Sequence, residues 1–292
     1  MTELVAAVFS LGFVAQVLRI AVPYALSAMG GAVTERSGVI DLALEGKLLF
    51  GAFTAAAVGH ATGSALLGLA GGIAAGMAVA ALQVGLSLTL GANQVIVGFA
   101  LNLVGAAGTR FLLQLIFGEG ANSPPCPAYG SEVLGNPIVW LTAIAAVAVP
   151  FALRRTRWGV RLRAAGDRPD ALVAVGVSPA RARLAAALVG GALTGAGGAQ
   201  LSLAVGGFVA DMSSGRGYIA LAMVIMAGWR PAWAVVACIG VAAAEALSIT
   251  FQVTSIPLAH ELIALLPYLT TLGVLAIFRG DRSTPPRALG KL

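Results

Sequence analysis

Nine apolar windows follow one another along the chain, at 4–28, 39–60, 64–90, 92–117, 138–153, 184–206, 216–229, 231–252 and 260–279, and this succession leaves few folds open. A helix needs about 20 predominantly apolar residues to cross a bilayer, where lipid gives its backbone nothing to bond to. The expected fold is therefore all-α, a polytopic transmembrane helix bundle of about nine spans, or eight to ten allowing for the shorter windows. Only 10% of residues are charged, against about 25% in soluble domains. The 38 glycines suit helices that approach closely in lipid. Residues 1–292 read as a single transmembrane domain.

One segment breaks the pattern. Residues 154–183 hold eight arginines, at 154, 155, 157, 161, 163, 168, 181 and 183, with Asp167 and Asp170, so this loop alone carries a charge equal to the +6 of the whole chain. Lys and Arg accumulate in short cytoplasmic loops. The loop is thus expected inside, with the tail bearing Arg279, Arg282, Arg287 and Lys291 on the same side and four windows between them. The turn Trp229-Arg230-Pro231 then also falls inside. Residues 118–137 contain Glu119, Glu132, four prolines and no Lys or Arg, which suits an outside loop. Counting back places the N-terminus outside and residues 34–38 inside. Met1-Thr2-Glu3 lacks a basic leader, so the first apolar stretch is expected to be retained.

Several chemistries are disfavoured. The pI near 10.0 would suggest nucleic acid on a polar domain, but here the arginines flank membrane spans and face acidic headgroups, so no nucleic-acid partner is expected. Cys126 and Cys238 have no CxxC or Cys/His spacing, and His60 and His260 are far apart, so no metal site is expected. Gly46-Lys47 is followed by Leu48 and lacks the upstream glycine of a phosphate-binding loop, so the chain is not expected to bind or split ATP, and no cofactor is assigned to it. The clustered His or carboxylates of an integral membrane enzyme are absent.

The basic loop has internal design. Asp167 with Pro169 close behind it precedes a short apolar run closed by Gly176, which predicts a short surface helix, and Ser178-Pro179 starts the next one. Such a helix can rest on lipid or dock a partner. Gly38-Val39-Ile40-Asp41-Leu42-Ala43 and Gly217-Tyr218-Ile219-Ala220-Leu221-Ala222 share Gly-x-Ile-x-Leu-Ala. On the topology above the first copy starts a span inside and the second starts one outside, either by chance among small apolar residues or as an inverted repeat, whose interface holds the path in transporters.

The stretch Glu35 to Gly46 (ERSGVIDLALEG), then Gly159 to Ala171 (GVRLRAAGDRPDA), then Gly215 to Ala222 (GRGYIALA), then Trp229-Arg230-Pro231 occur in that order. Together they resemble the permease subunits of bacterial ATP-binding cassette importers for nucleosides and simple sugars, relatives of the ribose and branched-chain amino-acid permeases. The resemblance covers about residues 20–280. It implies a multi-pass protein of the bacterial cytoplasmic membrane that works with a cytoplasmic ATPase, a second permease subunit, related or identical, and an extracytoplasmic solute-binding protein. It implies that 159–176 couples to that ATPase, through Arg163, Gly166, Asp167, Pro169, Asp170 and Gly176. Asp41, Asp167-Arg168 and Lys47 depart from the family pattern, and Lys47 puts a cation near the expected path.

Polar groups inside spans are costly and face a cavity or each other. On a helix starting near residue 39, Asp41 and Glu45 share a face and Lys47 points elsewhere. They line a solute path or snorkel at the interface. Asn93, Gln94 and Asn102 open the fourth window and either bind solute hydroxyls or tie helices together. Arg110, Asp211, Arg216, Glu245 and Glu261 lie toward outer span ends, as candidate contacts for a binding protein. A stand-alone ion-coupled carrier would use Asp41 and Glu45 as its ion site, and would leave the basic loop without a role.

Overall fold

The computed structural model describes residues 10–130, 133, 135–253, 273 and 284–291. Apart from residue 273 the last window, 260–279, lies outside the described residues, as do Glu132, His260, Glu261, Arg279, Asp281 and Arg282.

Ten helices form among the described residues: α1 (Leu11–Arg36), α2 (Leu44–Thr62), α3 (Ala65–Thr89), α4 (Gln94–Phe117), α5 (Pro137–Arg155), α6 (Arg157–Asp167), α7 (Pro169–Ala174), α8 (Pro179–Val205), α9 (Arg216–Met226) and α10 (Pro231–Val253). Their starts are written in short polar side chains. Ser64, Asn93, Asn136, Thr156 and Ser178 each accept a bond from a first-turn N–H of the helix that follows. Left-handed glycines, Gly63, Gly118 and Gly206, stop α2, α4 and α8.

Six of these helices, α1, α3, α4, α5, α8 and α10, are long and apolar enough to cross a membrane. Three expectations are corrected. The second window is irregular over residues 37–43 and becomes helical only at Leu44. The window 216–229 yields the 11-residue α9, about 16 Å long at 1.5 Å per residue and about half a hydrocarbon core. The basic loop holds two helices, α6 and α7, where one was expected. Asp167 ends α6, and Arg168 rather than Asp167 stands at the cap position of α7.

α8 is the centre, packed on α1, α2 and α3. Its glycines bring the backbones almost into contact. A Cβ placed on Gly190 would lie 2.2 Å from Thr34 Oγ1 of α1, one on Gly198 2.2 Å from the Leu48 carbonyl oxygen of α2, and one on Gly191 2.4 Å from the Gly76 oxygen of α3. In lipid, where tails are as apolar as leucine, such close packing is what holds helices together.

The bundle has two distinct ends. At one, residues 121–129 run beside 203–210, with Ser123 N donating to Phe208 O at 2.8 Å, Cys126 N to Gly206 O at 2.9 Å and an isolated bridge between Asn122 and Val209. At the other lie the ends of α1 and α5, the helices α6 and α7, the start of α8 and the 227–230 turn. The segment 284–291 is stitched to this arginine-rich end: Ala288 N donates to Gly166 O at 2.7 Å, and Gly290 N to Gly38 O at 3.0 Å. The buried Arg183 guanidinium donates to Ser37 O, Ala165 O and Lys291 O.

Overpacking a close backbone contact costs roughly 1–3 kcal/mol or more. Gly198→Leu is therefore expected to lower the thermal stability of the detergent-solubilised protein clearly. Gly85→Leu on α3, where an added Cβ meets nothing, is expected to leave it unchanged.

Candidate functional site

Two irregular stretches, 37–43 before α2 and the part of 206–215 that leads from the bundle's end into α9, bare backbone groups within an apolar bundle, where an unmet N–H or C=O is expensive. Polar side chains from neighbouring helices supply the missing partners. Gln94 Oε1 accepts from Ile40 N at 2.6 Å, and Gln83 Nε2 donates to Ile40 O at 3.0 Å. Asn102 bridges across the break, its Nδ2 donating to Leu42 O at 2.7 Å and its Oδ1 accepting from Gly46 N at 2.8 Å. Asn93 lies apart from this group. It is exposed and caps α4 through Val95 N and Ile96 N.

The second break is closed by Glu45. Its carboxylate accepts from Ser213 Oγ at 2.5 Å, Gly215 N at 2.8 Å and Gly217 N at 2.7 Å. Those donors sit at the N-terminus of α9, where aligned peptide dipoles favour an anion. Only glycine fits at 217, because a Cβ there would lie 2.4 Å from Glu45 N. The C-terminal turn of α9 reaches the arginine-rich end, so its N-terminus and the Glu45 carboxylate lie about half a bilayer deep.

Asp41 and Lys47 form a third element. Lys47 Nζ donates to Asp41 Oδ1 at 2.5 Å, and both side chains are 0% exposed. The helical wheel had set Asp41 beside Glu45 and Lys47 elsewhere. This is corrected because Asp41 precedes the helix, so Lys47 folds back onto it while Glu45 turns to α9. Among the described residues, Asp41 Oδ2 and Gln83 Oε1 are buried acceptors with no hydrogen-bond partner, both beside the Ile40–Asp41 backbone.

Glu35, Trp229 and Arg36 tie this region to the arginine-rich end. Glu35 accepts from Asp41 N at 3.2 Å and from Trp229 Nε1 at 2.5 Å. Arg36 donates to the carbonyls of Trp229 and Gly228 at 2.8 and 3.3 Å. Trp229 has φ +56°, an uncommon value for a bulky residue, and these bonds hold it there.

The coupling candidates divide by environment. Gly166 is buried where α6 crosses α1, and a Cβ there would lie 2.3 Å from Arg36 O. Asp167 and Asp170 are exposed, Pro169 starts α7, and Gly176 follows it with φ +73° and open space around it. Arg163 faces a cavity shared with Arg36, Arg154 and Arg230. Among the outer-end candidates, Arg110 and Asp211 form an exposed ion pair. Arg216 and Glu245 instead pair at 2.6 Å in a part-buried cluster in which Tyr24 OH also donates to Glu245.

Sequence reasoning missed Gln83 and Ser213, and the buried role of Arg183. A lone glutamine in an otherwise apolar window such as 64–90 is itself the signal, since an amide in lipid needs a partner. Ser213 carries no such signal, because its partner Glu45 is 168 positions away.

The family described as "Branched-chain amino acid transport system / permease component" matches residues 13–275. The chain is 31% identical to the guanosine ABC transporter permease protein NupQ of Bacillus subtilis, covering 92% of each. It is 33% identical to the putative glucose ABC transporter permease protein TsgC13 of Haloferax volcanii, covering 96% of this chain and 97% of that one. It is 28% identical to the nucleoside ABC transporter permease protein NupC of Lactococcus lactis, covering 93% of each. No solved structure matches the chain.

Removing one partner of a buried ion pair costs about 3–5 kcal/mol, because the other is left charged and dry. Lys47→Met is expected to lower the melting temperature strongly and Asp41→Leu/Lys47→Met to restore most of it. Additive losses in this double-mutant cycle would refute the coupling.

Proposed function

The chain belongs to the branched-chain amino acid transport system permease component family, and from that premise we propose that it is the membrane subunit of an ATP-driven importer for nucleosides. It is a multi-pass protein of the cytoplasmic (inner) membrane, a transporter component rather than an enzyme. An ATPase and a solute-binding protein act with it. We assign the arginine-rich end to the cytoplasm, α6 and α7 to the contact with that ATPase, and a second permease, identical or related, to the other side of the path.

The observation that carries the substrate class is the match to two relatives named for guanosine and nucleosides over more than nine-tenths of this chain. The chemistry of the break agrees. Asp41 Oδ2 and Gln83 Oε1 are acceptors without partners among the described residues, suited to the hydroxyl and N–H donors of a nucleoside once the path opens. Lys47 is neutralised by Asp41, which leaves no free cation there to demand an anionic solute. The relative named as a putative glucose permease favours a second reading, a simple sugar such as ribose or galactose, which offers hydroxyls to the same acceptors.

We also propose about nine spans, with α2, the irregular 206–215 together with α9, and the window 260–279 completing the six long ones, and an inverted repeat that pairs α1 and α2 with α8 and α9. In each unit a long helix ends in an irregular stretch that leads into a shorter helix. α1 ends at the arginine-rich end and α8 at the opposite one, and the two cross at Gly30 and Gly190. The shared spelling does not track conformation: residues 38–43 are irregular, whereas 217–222 are helical.

Reconstituted with its ATPase, second permease and binding protein, the wild type is expected to accumulate labelled nucleoside only with ATP. Asp167→Arg, and separately Gly176→Trp, are expected to abolish that uptake while the protein still inserts. Uptake driven by an ion gradient alone, without the ATPase, would overturn the reading, and uptake of ribose or galactose in place of nucleosides would select the second.

A further inference from the structure

A cavity of about 340 Å³ opens at the arginine-rich end, between the C-termini of α1 and α5, α6 and the start of α10. Arg36, Arg154, Arg163 and Arg230 line it, and its deeper wall is apolar, from Pro150 and Leu153. None of these four arginines takes part in an ion pair among the described residues. Arg36 spends its donors on backbone carbonyls. Arg163 Nε is buried with no hydrogen-bond acceptor among the described residues. Asp167 at the end of α6 acts on Arg36 but forms no ion pair with these arginines among the described residues, so four like charges around one half-enclosed space keep a net positive charge that suits an anion.

What lies beside the cavity narrows the anion. Phe151 on α5, next in sequence to the lining Pro150, and Trp233 and Val236 on α10, one and four residues past the lining Ala232, are each more than half exposed apolar side chains. A ligand that is anionic at one end and hydrocarbon along its length matches both surfaces. We infer that this cavity is a specific site for the headgroup phosphate of an anionic phospholipid of the cytoplasmic leaflet, with its acyl chains lying along α5 and α10. Its placement in that leaflet rests on the orientation proposed above. Because Arg163 belongs to α6 and Arg36 bonds the 228–229 turn, a lipid seated there would brace the proposed coupling helix against α1.

The test uses the full chain in non-ionic detergent. Bound phosphatidylglycerol and phosphatidylcholine are counted by native mass spectrometry, and the melting temperature is followed as each is added. Neither Arg154 nor Arg230 has a side-chain hydrogen bond or ion pair among the described residues, so Arg154→Gln/Arg230→Gln should fold normally. Phosphatidylglycerol is expected to stay bound and stabilise the wild type, phosphatidylcholine to do neither, and this double variant to bind phosphatidylglycerol about 30-fold more weakly. The charge-matched Arg155→Gln/Arg181→Gln, at two positions that do not line the cavity, is expected to bind as the wild type does. Equal losses in the two double variants would show diffuse attraction and overturn the site. Displacement of the lipid by inorganic phosphate at similar concentration would overturn the lipid in favour of a free anion. Unchanged lipid binding with lost ATPase association in Arg154→Gln/Arg230→Gln would give the cavity to the ATPase instead. Because lipid is read in detergent without transport, failure here leaves the importer assignment standing, and failure of uptake leaves the lipid result readable.

Discussion

An apolar interior tolerates irregular backbone only where every bared N–H and C=O finds a partner, and this requirement organises the middle of the bundle. Residues 37–43 stay non-helical because Gln83, Gln94 and Asn102 reach in from α3 and α4 to bond Ile40, Leu42 and Gly46. Residues 206–215 end at a helix N-terminus that Glu45 fills with a carboxylate. Each partner is a single atom at hydrogen-bond distance, so losing one would leave an orphan worth about 1–3 kcal/mol. The breaks are therefore held in place by specific bonds.

Close packing makes those bonds reachable. Asn102 meets the start of α2 because Gly46 and Gly105 let α2 and α4 touch, a Cβ on Gly105 falling 2.7 Å from Gly46 Cα. Glu45 meets α9 because residue 217 has no side chain. The glycines thus act on the polar network as much as on van der Waals contact: a methyl group at either position would push a donor beyond bonding distance, where the same amide or carboxylate would become a buried liability.

How much of this could be read in the chain depends on the range of the cause. Spans α3, α4, α5 and α10 fall within two residues of their windows because apolar length and a capping side chain are local signals. The start of α8 was equally plain in Ser178-Pro179. α6 was missed because its arginines hide a short buried stripe of Gly159, Leu162, Ala165 and Gly166, which forms against α1, α5 and α8 rather than on its own. The residue types of the site were visible, since Asp41, Glu45, Lys47, Gln94 and Asn102 stand out in apolar surroundings. Their pairing was not: a wheel assumes continuous helix, and the chain breaks just where it was applied. Asn93 was legible only as polar, and its position one residue before α4 gives it a capping task instead.

The same geometry constrains how force at the arginine-rich end would reach the middle. Gly166 of α6 rests on the Arg36 carbonyl with no room for a methyl group, so α6 cannot approach α1 further and would push it if driven inward. Arg36 and its neighbour Glu35 grip the 228–229 turn, one through backbone carbonyls and the other through the indole of Trp229. That turn is the C-terminal end of α9, a rigid rod of 11 residues whose other end rests on Glu45. A shift of α6 would thus be delivered about 16 Å away, to the one carboxylate that plugs the second break. Glu35 makes the link two-sided, because it also bonds Asp41 N in the first break. Both irregular stretches therefore hang on neighbouring residues of α1, and whatever moves that helix end acts on both together.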